Sequence, residues 1–290
     1  MLSNSKIFKH ADDYGLTNGI SKSLDELIEK GKINSVSILV NGYDDLEFNI
    51  KTDTRIACHI NIFENKPVSE AQRLFNIVDN DGNFRESFIF YLIKYYFSLN
   101  KKRQKIKKQI HLEVEMQLLK LKEIIGPSHE IVSLDSHNHI HMIPYIFDIF
   151  VEIAKKYGIQ NIRTTRELFD FKFQKKNLLI FNFYVGLIKH LLLNFFTLIN
   201  CRKLMVNNLT TNKYFLGVLF SGKMTKQIVI SSMNKINKHL IKNDYVEIVL
   251  HPGVIEVQEL KYWKKSPSLA KFYSSKNRLK ENLTMKSLDD

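Results

Sequence analysis

The sequence predicts an α/β fold, a parallel (β/α) barrel that is complete or imperfect, with roughly seven mainly parallel strands. Two observations support this prediction. Short runs rich in Val and Ile alternate with helical stretches along most of the chain, which is typical of βαβ units. A length of 290 residues fits one large α/β domain, and no internal repeat or linker divides the chain. We therefore treat residues 1–290 as a single domain.

The predicted strands are short segments with the apolar, β-branched composition of buried strands. Helical or loop-rich stretches separate them, so consecutive strands are expected to run parallel. In order along the chain they are "SKIFKHAD", "INSVSILV", "RIACHINI", "EIVSLDSH", "IQNIRTT", "KYFLGVLFSG" and "YVEIVLHPG".

The predicted helices lie between these strands and are bounded by capping residues. The first is expected to begin at an N-cap on Thr17 or Asn18 and to end at Gly31. Turn-forming residues fill the segment 64–90, where "DNDGNF" predicts a tight turn. The predicted helices cover 18–30, 43–51, about 86–125, 144–157 and 224–242.

An insertion at about 170–212 interrupts the pattern and contains the apolar run 177–200. This run approaches the length of a membrane span, but Lys189 and His190 lie in its middle, where a spanning helix rarely carries them. We predict an amphipathic helix over 178–199 whose wide apolar face packs on the core, on a partner subunit or on a membrane surface. Its polar stripe comprises Asn182, Gly186, Lys189, His190, Asn194 and Thr197.

Composition limits the class of protein. The net charge of +13 is concentrated in 101–109 and 261–280. Basic segments can bind nucleic acid or anionic membranes, but most such segments are simply the solvent-exposed faces of helices. No zinc-finger spacing or RNP-like motif is present, so no nucleic-acid partner is expected. Only Cys58 and Cys201 are available for disulfides and no secretory signal is found, which predicts a cytoplasmic protein.

Side chains that bind metals or move protons follow four of the predicted strands. Asp12 and Asp13 follow the first strand. His59 lies at the end of the third predicted strand, and His251 lies at the end of the last. The fourth strand ends in the histidine-rich segment "DSHNHIHMIP". A lone histidine near a strand end is more often structural, but active sites of parallel barrels form where these strand ends meet. The sequence therefore predicts an active site at this end of the sheet.

The residue types at these strand ends predict metal-dependent hydrolysis. A carboxylate with two imidazoles leaves coordination positions open, and Asp135 is available to orient a histidine. This donor set suits Zn²⁺, admits other transition metals and is poor in oxygen for Mg²⁺. A metal ion of this kind promotes hydrolysis of an amide or ester, with a second carboxylate as base and a histidine as acid. We expect one divalent ion, which is Zn²⁺, another transition-metal ion or Mg²⁺.

Several segments resemble motifs of the YdjC-like family of carbohydrate deacetylases, which includes chito-oligosaccharide deacetylase and a hopanoid-biosynthesis branch. "HADDYGLT" resembles N-A-D-D-[FY]-G-L-[ST], with His10 in place of the usual Asn. "LKEIIGPSHEIVSLDSHNHIHMIP" is the densest match, and "ACHINI" takes the place of G-[LIM]-H-[LF]-x-L. The region 160–212 has no counterpart. The remaining matches are "NSVSILVNG", "FLGVLFSGKMT" and "EIVLHPG".

The resemblance implies a deformed TIM-like barrel, metal-dependent removal of the acetyl group of an N-acetylated carbohydrate, and a dimer in several members. Carried over to this chain, it implies a role for each matching residue. The implied metal ligands are Asp13, His59 and His137, the implied catalytic residues are Asp12 as base and His251 as acid, and the expected substrate contacts are Arg163, His141 and Arg166.

Other functions stay open at this point. The chain is alternatively a metal-dependent hydrolase of another amide or ester, or a non-catalytic binding protein with a residual metal site. The expected partners are an acetylated sugar or glycoconjugate and a second copy of the chain. A peripheral contact of residues 178–199 with the inner face of the membrane is a further alternative.

Overall fold

A computed structural model of the chain describes residues 6–45, 48–50, 53–85, 87–169 and 181–288, without the side chains of 181–185. Its centre is a sheet of seven parallel strands in the order β5-β4-β3-β2-β1-β7-β6. The first strand is therefore an interior strand, with β2 on one side and β7 on the other. The strands are β1 (Lys6–Tyr14), β2 (Ser35–Ile38), β3 (Arg55–Ile60), β4 (Ile131–Ser136), β5 (Asn161–Ile162), β6 (Tyr214–Leu216) and β7 (Tyr245–Leu250).

The sheet curls until its two edges are connected by a few backbone hydrogen bonds. The N–H of Ile162 in β5 donates to the carbonyl of Thr210, 3.1 Å away. The N–H of Phe215 in β6 donates to the carbonyl of Arg166, at 2.8 Å. Because the edge strands have only two and three residues, this closure is irregular. The predicted deformed (β/α) TIM-like barrel is confirmed as a curled, incomplete barrel.

The helices confirm most of the predicted boundaries. The Thr17 side chain accepts a hydrogen bond from the N–H of Ile20 and so caps the first helix. The long helix predicted for 86–125 is two helices, separated at residues 97–99. The helices are α1 (Asn18–Glu29), α2 (Phe88–Tyr96), α3 (Asn100–Ile125), α4 (Pro144–Tyr157), α5 (Phe181–Val206), α6 (Lys226–Ile236), α7 (Pro267–Tyr273) and α8 (Lys276–Ser287).

The short helix predicted for 43–51 is wrong for the residues described there, 43–45 and 48–50, which are irregular. Tertiary contacts override helix propensity in this segment. The Asp44 carboxylate accepts a hydrogen bond from the N–H of Asn18 at 3.0 Å, so it caps α1 instead of continuing a helix of its own.

Helix α5 places several polar side chains against the rest of the protein. His190 Nδ1 lies 3.1 Å from Glu167 Oε2, and the Asn200 side-chain amide donates to the carbonyl of Met142 at 2.8 Å. The helix is therefore held by polar contacts to a carboxylate and a carbonyl that would be costly to bury without partners. Residues 178–180 of the predicted helix lie outside the described residues.

The opposite side of α5 is apolar and exposed. Of the three predicted positions for the apolar face, packing on the core of the same chain holds for Leu193, Phe196 and Leu204, which are buried, but not for the side chains on the opposite side. No helix in the described ranges is long and apolar enough to cross a bilayer. The exposed side chains include Ile188, Leu191, Phe195 and Leu198.

Candidate active site

Three buried side chains from different strands meet at the carboxyl end of the sheet. They are Asp13 near the end of β1, His59 in β3 and His137 directly after β4, with their ligand atoms within 4.8 Å of one another. His137 Nδ1 lies 2.9 Å from Asp13 Oδ1, and His59 Nε2 lies 3.7 Å from the same oxygen. The structure thus brings together the three residues predicted as metal ligands.

The backbone around Asp13 explains how two adjacent carboxylates point in different directions. The register of β1 against β2 shifts between Ala11 and Tyr14. Within this irregularity Asp13 has a φ of 75°, a left-handed conformation that costs about 1–2 kcal/mol for a residue with a Cβ. As a result Asp12 faces the barrel interior while Asp13 faces the two histidines.

A second carboxylate lies against each of the two histidines. Asp135 Oδ1 is 2.6 Å from His59 Nδ1, and Glu64 Oε1 is 3.2 Å from His137 Nε2. Glu64 also accepts a hydrogen bond from Trp263 Nε1 at 2.8 Å, so its position is fixed. A carboxylate on one ring nitrogen sets the tautomer and leaves the other nitrogen free to bind a metal.

The same carboxylates control the charge of the histidines. Burial alone would lower the pKa of His59, but Asp135 and Asp12 raise that pKa to about 10. Burial likewise opposes protonation of His137, and Asp13 together with Glu64 raises its pKa to about 9. A site that attracts protons this strongly also attracts a divalent cation, which competes with them for the same nitrogens.

One buried atom supports a metal ion directly. His59 Nε2 is buried without a hydrogen-bond partner, although it is directed toward Asp13. A buried nitrogen without a partner is costly, and an ion held between Asp13, His59 and His137 would satisfy it. One carboxylate with two imidazoles is also a donor set of catalytic metal sites. The residues present therefore fit a divalent metal ion.

Asp12 binds a buried arginine inside the barrel. Arg163 Nη1 donates to both oxygens of Asp12, at 2.9 and 3.1 Å. Its Nη2 lies 2.9 Å from Asp135, and its Nε donates to Glu247 at 2.7 Å. His10, Asp12 and Asp135 form a second group with metal-ligand spacing, but this guanidinium already provides the positive charge there.

Two of the predicted substrate contacts lie elsewhere. His141 is enclosed, with Nδ1 2.7 Å from Ser136 Oγ and Nε2 3.1 Å from the carbonyl of Arg163. Burial lowers the pKa of His141 to about 4. Arg166 is exposed, with its guanidinium 5.3 Å from the centre of the Tyr214 ring. The third, Arg163, has no solvent exposure.

Helix α8 contributes two residues for which the sequence offers no strand-end signal. Arg278 Nη2 donates to Asp13 Oδ2 at 3.0 Å. Glu281 accepts a hydrogen bond from the backbone N–H of His251 at 2.8 Å, and its carboxylate lies 3.7 Å from His251 Nδ1. The His251 side chain is 16% exposed, so it is the most accessible of these titratable groups. Glu64 was also not predicted from the sequence. It lies in the loop after β3, at the carboxyl end of the sheet, where the other site residues lie.

A curled parallel barrel with a carboxylate–imidazole cluster at its carboxyl end defines a class of α/β proteins suited to metal-dependent chemistry. The sequence model of one family, described as YdjC-like protein, matches residues 6–288. The chain belongs to this family, and the resemblance stated from its motifs is confirmed.

Curated relatives of 24–29% identity match part of the chain. The carbohydrate deacetylase of Thermoanaerobacter pseudethanolicus is 29% identical over 160 residues, which is 54% of this chain and 59% of the relative. The carbohydrate deacetylase of Mus musculus is 28% identical over 163 residues, 54% of this chain and 49% of the relative. The chain thus spans about half the length of the curated relatives it matches.

A solved structure supports the fold over the full chain. It is a crystal structure from Enterococcus faecalis V583 of a protein named for cellobiose-phosphate cleavage, with a TM-score of 0.60 and 15% identity. The match covers 98% of this chain and 95% of that one. At this identity the similarity establishes the architecture alone.

Proposed function

We propose that this protein removes the acetyl group of an N-acetylated carbohydrate, using a divalent metal ion held by Asp13, His59 and His137. The observation that carries the proposal is the convergence of these three side chains around the partnerless Nε2 of His59. The relatives named carbohydrate deacetylase support the substrate class. When bound, the ion supplies a Lewis acid that polarises the acetyl carbonyl and activates water.

Asp12 is the general base of this proposal. It accepts a proton from water as the water oxygen adds to the acetyl carbon. Burial favours the neutral acid, but the Arg163 guanidinium and His59 hold the pKa of Asp12 well below its usual range. Arg163 also donates hydrogen bonds to both carboxylate oxygens of Asp12. We therefore assign Arg163 to positioning the base rather than to a contact with substrate.

His251 is the general acid that protonates the leaving amine as the carbon–nitrogen bond breaks, so that the products are acetate and a free amino sugar. Its partial exposure gives it access to substrate, and the Glu281 carboxylate 3.7 Å from Nδ1 orients the ring. His141, with both ring nitrogens bonded within the protein, is assigned to the fold. The contact of Arg166 with substrate, the homodimer and the cytoplasmic location stay predictions.

Two substitutions test the site. In Asp13→Asn we expect loss of the metal ion and of activity together, because two protein ligands rarely hold a catalytic ion. In Asp12→Asn we expect a retained metal ion and a turnover roughly 10²- to 10⁴-fold lower, the usual contribution of a general base. Metal content is measured by elemental analysis, and acetate release is measured with N-acetylglucosamine and chito-oligosaccharides.

Asp244→Asn, away from the cluster, is the matched control and should change neither quantity. A wild-type protein that binds the metal ion but hydrolyses no amide or ester would leave the non-catalytic binding protein with a residual metal site as the remaining interpretation, and a metal-free wild type would overturn the proposal. Metal binding with hydrolysis of other amides or esters, and none of acetylated sugars, would assign the site to the alternative hydrolase. If Asp12→Asn loses the ion while Asp13→Asn keeps it, the two roles are reversed.

A further inference from the structure

Helix α5 presents a continuous apolar stripe to solvent. Its exposed side chains recur at spacings of three and four residues and therefore share one face. The segment 190–201 contains no Asp, Glu, Lys or Arg to interrupt this face. Contiguous apolar surface of this kind marks an interaction site on a soluble domain. The stripe comprises Ile188 (66% exposed), Leu191 (58%), Phe195 (57%) and Leu198 (67%), and Met205 (69%) lies further along the same face, beyond the exposed Arg202.

The orientation of α5 is determined by contacts on its inner side. The Lys203 ammonium donates to the carbonyl of Pro144 at 2.6 Å, and Leu193 is fully buried. These contacts add to the bonds of His190 and Asn200 described above. Rotating the helix to bury the stripe would break them and expose Leu193, so the stripe is a stable property of the fold.

A second apolar surface, on and after α2, lies beside the same neighbour, helix α4. The Tyr95 ring of α2 stacks on Tyr145 at the start of α4, with 3.7 Å between ring centres. Helix α5 contacts the start of α4 through Lys203. Helices α2 and α5 therefore flank one end of α4. The exposed side chains of the second surface are Ile89 (62%), Ile93 (51%), Phe97 (87%) and Leu99 (85%).

Basic side chains border both apolar surfaces. Lys101, Lys102 and Lys105 are exposed at the start of α3, directly after Leu99. A groove between α3, α4 and α5 is lined by Lys107 and Arg202. The two carboxylates in this groove, Asp148 and Glu152, are each within ion-pair distance of a lysine, Lys203 at 2.5 Å and Lys107 at 2.9 Å.

We infer that α5 and the α2 surface dock this protein on an anionic lipid surface, with α5 lying flat in the interface. Apolar side chains bordered by lysines and arginine match the acyl region and the anionic headgroups, respectively. A second copy is a poorer match, because two chains that each carry a net charge of +13 repel one another. The inference concerns binding and does not depend on the proposed reaction.

Docking in this orientation brings the candidate active site close to the membrane. The inner side of α5 contacts Met142, which ends the 3₁₀ turn that begins at His137. One helix diameter, about 10 Å, therefore separates the lipid face from this turn. A substrate whose acetylated sugar is attached to a lipid would be presented at the appropriate height.

Vesicle flotation of the whole chain tests the inference. Vesicles of phosphatidylcholine with phosphatidylglycerol should carry the protein at low salt, and pure phosphatidylcholine vesicles should carry much less. High salt should weaken binding, because part of the attraction is electrostatic. Leu198→Glu should lower the partition coefficient at least about tenfold, since it removes a Leu that would insert into the lipid and adds a charge to the lipid face.

Ile241→Glu is the matched control, because Ile241 is 63% exposed but lies outside both surfaces. It should bind vesicles as the wild type does. The inference is overturned if the wild type does not float with anionic vesicles at low salt, or if both variants bind equally weakly. A dimer in light scattering that Leu198→Glu dissociates, without vesicle binding, would assign the stripe to a second copy of the chain.

Discussion

The adjacent carboxylates Asp12 and Asp13 are both buried and both ionised because each has its own cation. Burial favours the neutral acid in both cases. The Arg163 guanidinium holds the pKa of Asp12 well below its usual range, and His137 with Arg278 does the same for the pKa of Asp13. The left-handed backbone at Asp13 keeps the two groups on separate sides of the strand end. Two neighbouring carboxylates can therefore take the separate roles proposed for them, each with its own main cation.

At the same scale, Glu64 is expected to control the affinity of the site for metal. Glu64→Gln removes the charge beside His137 Nε2, so the ring is less well oriented and less basic toward a metal ion. We expect affinity for Zn²⁺ to fall about 10- to 100-fold, measured by calorimetric titration of the apoprotein. Glu259→Gln is the control, because Glu259 is also buried and accepts backbone hydrogen bonds but lies outside the cluster.

A fall in metal affinity that is equal in Glu64→Gln and Glu259→Gln would indicate general loss of structure rather than positioning of His137. A lower melting temperature without a change in affinity would reduce Glu64 to a structural role.

Some site residues could be predicted from the sequence and others could not. Asp13, His59 and His137 follow apolar strand-like runs, so the edge of the sheet where they meet is determined by the strand pattern. Arg278 lies in a polar helix near the C-terminus with no such signal. Arg163 follows a strand of only two residues, too short for alternation to show that its side chain points inward.

At the scale of elements, the amphipathic pattern of the sequence predicted helix α5 but not which of its faces packs against the protein. Periodicity identifies two faces, and the chemistry of the surface beneath the helix decides which one is buried. Here that surface offers the Glu167 carboxylate and the Met142 carbonyl beside apolar groups, so the buried side combines polar side chains with the apolar Leu193. Capping residues such as Thr17 are more reliable predictors, because their partner lies in the same helix.

The turn after β1 packs directly against the backbone of Gly42, in the loop after β2. A Cβ at Gly42 would lie 1.9 Å from the carbonyl oxygen of Gly15, a backbone atom that cannot move aside. We expect Gly42→Ala to cost more than about 3 kcal/mol in the free energy of unfolding. It should also weaken metal binding, because the displaced turn includes Asp13. Denaturant unfolding and metal titration measure the two effects.

Gly31→Ala separates this effect from backbone strain. Gly31 has a φ of 66°, and a Cβ at this position would meet no atom within 4 Å. Only conformational strain of about 1–2 kcal/mol is therefore expected. Metal affinity should be unchanged in Gly31→Ala. Equal destabilisation in the two variants would show that the loop after β2 moves away from Gly15 at little cost.

At the scale of the whole molecule, buried charges join strands that are distant in sequence. Arg163 connects β1, β4 and β7 through Asp12, Asp135 and Glu247. Arg55 Nη1 donates to the same Glu247 at 2.9 Å, which connects β3 to β7 across the barrel. Buried ion pairs add little net stability relative to apolar residues, but removing one partner is costly. The interior therefore tolerates changes poorly when they are made singly.

Glu247→Gln is expected to destabilise the fold by about 3–5 kcal/mol near neutral pH, because it leaves Arg163 and Arg55 with less compensation. Burial opposes ionisation of Glu247, yet the two arginines lower its pKa below 4.5. Its ionised form therefore stabilises the native state fully above about pH 4.5, and this contribution is lost as pH falls through the lowered pKa. Denaturant unfolding as a function of pH measures both effects.

The wild type should consequently lose stability more steeply in acid than Glu247→Gln does. Glu26→Gln is the control, since Glu26 is exposed and its pair with Lys30 contributes less than about 0.5 kcal/mol. Parallel acid profiles of the wild type and Glu247→Gln would contradict the assignment.

The interior position of β1 between β2 and β7 has a consequence for synthesis on the ribosome. Strand β1 is translated early, but its neighbour β7 and the Arg278 partner of Asp13 follow much later, the latter 265 residues along the chain. Until β7 emerges, the nascent chain carries an open strand edge at β1, and the Asp13 carboxylate lacks its Arg278 partner. Chaperones therefore have a long interval in which to shield that edge.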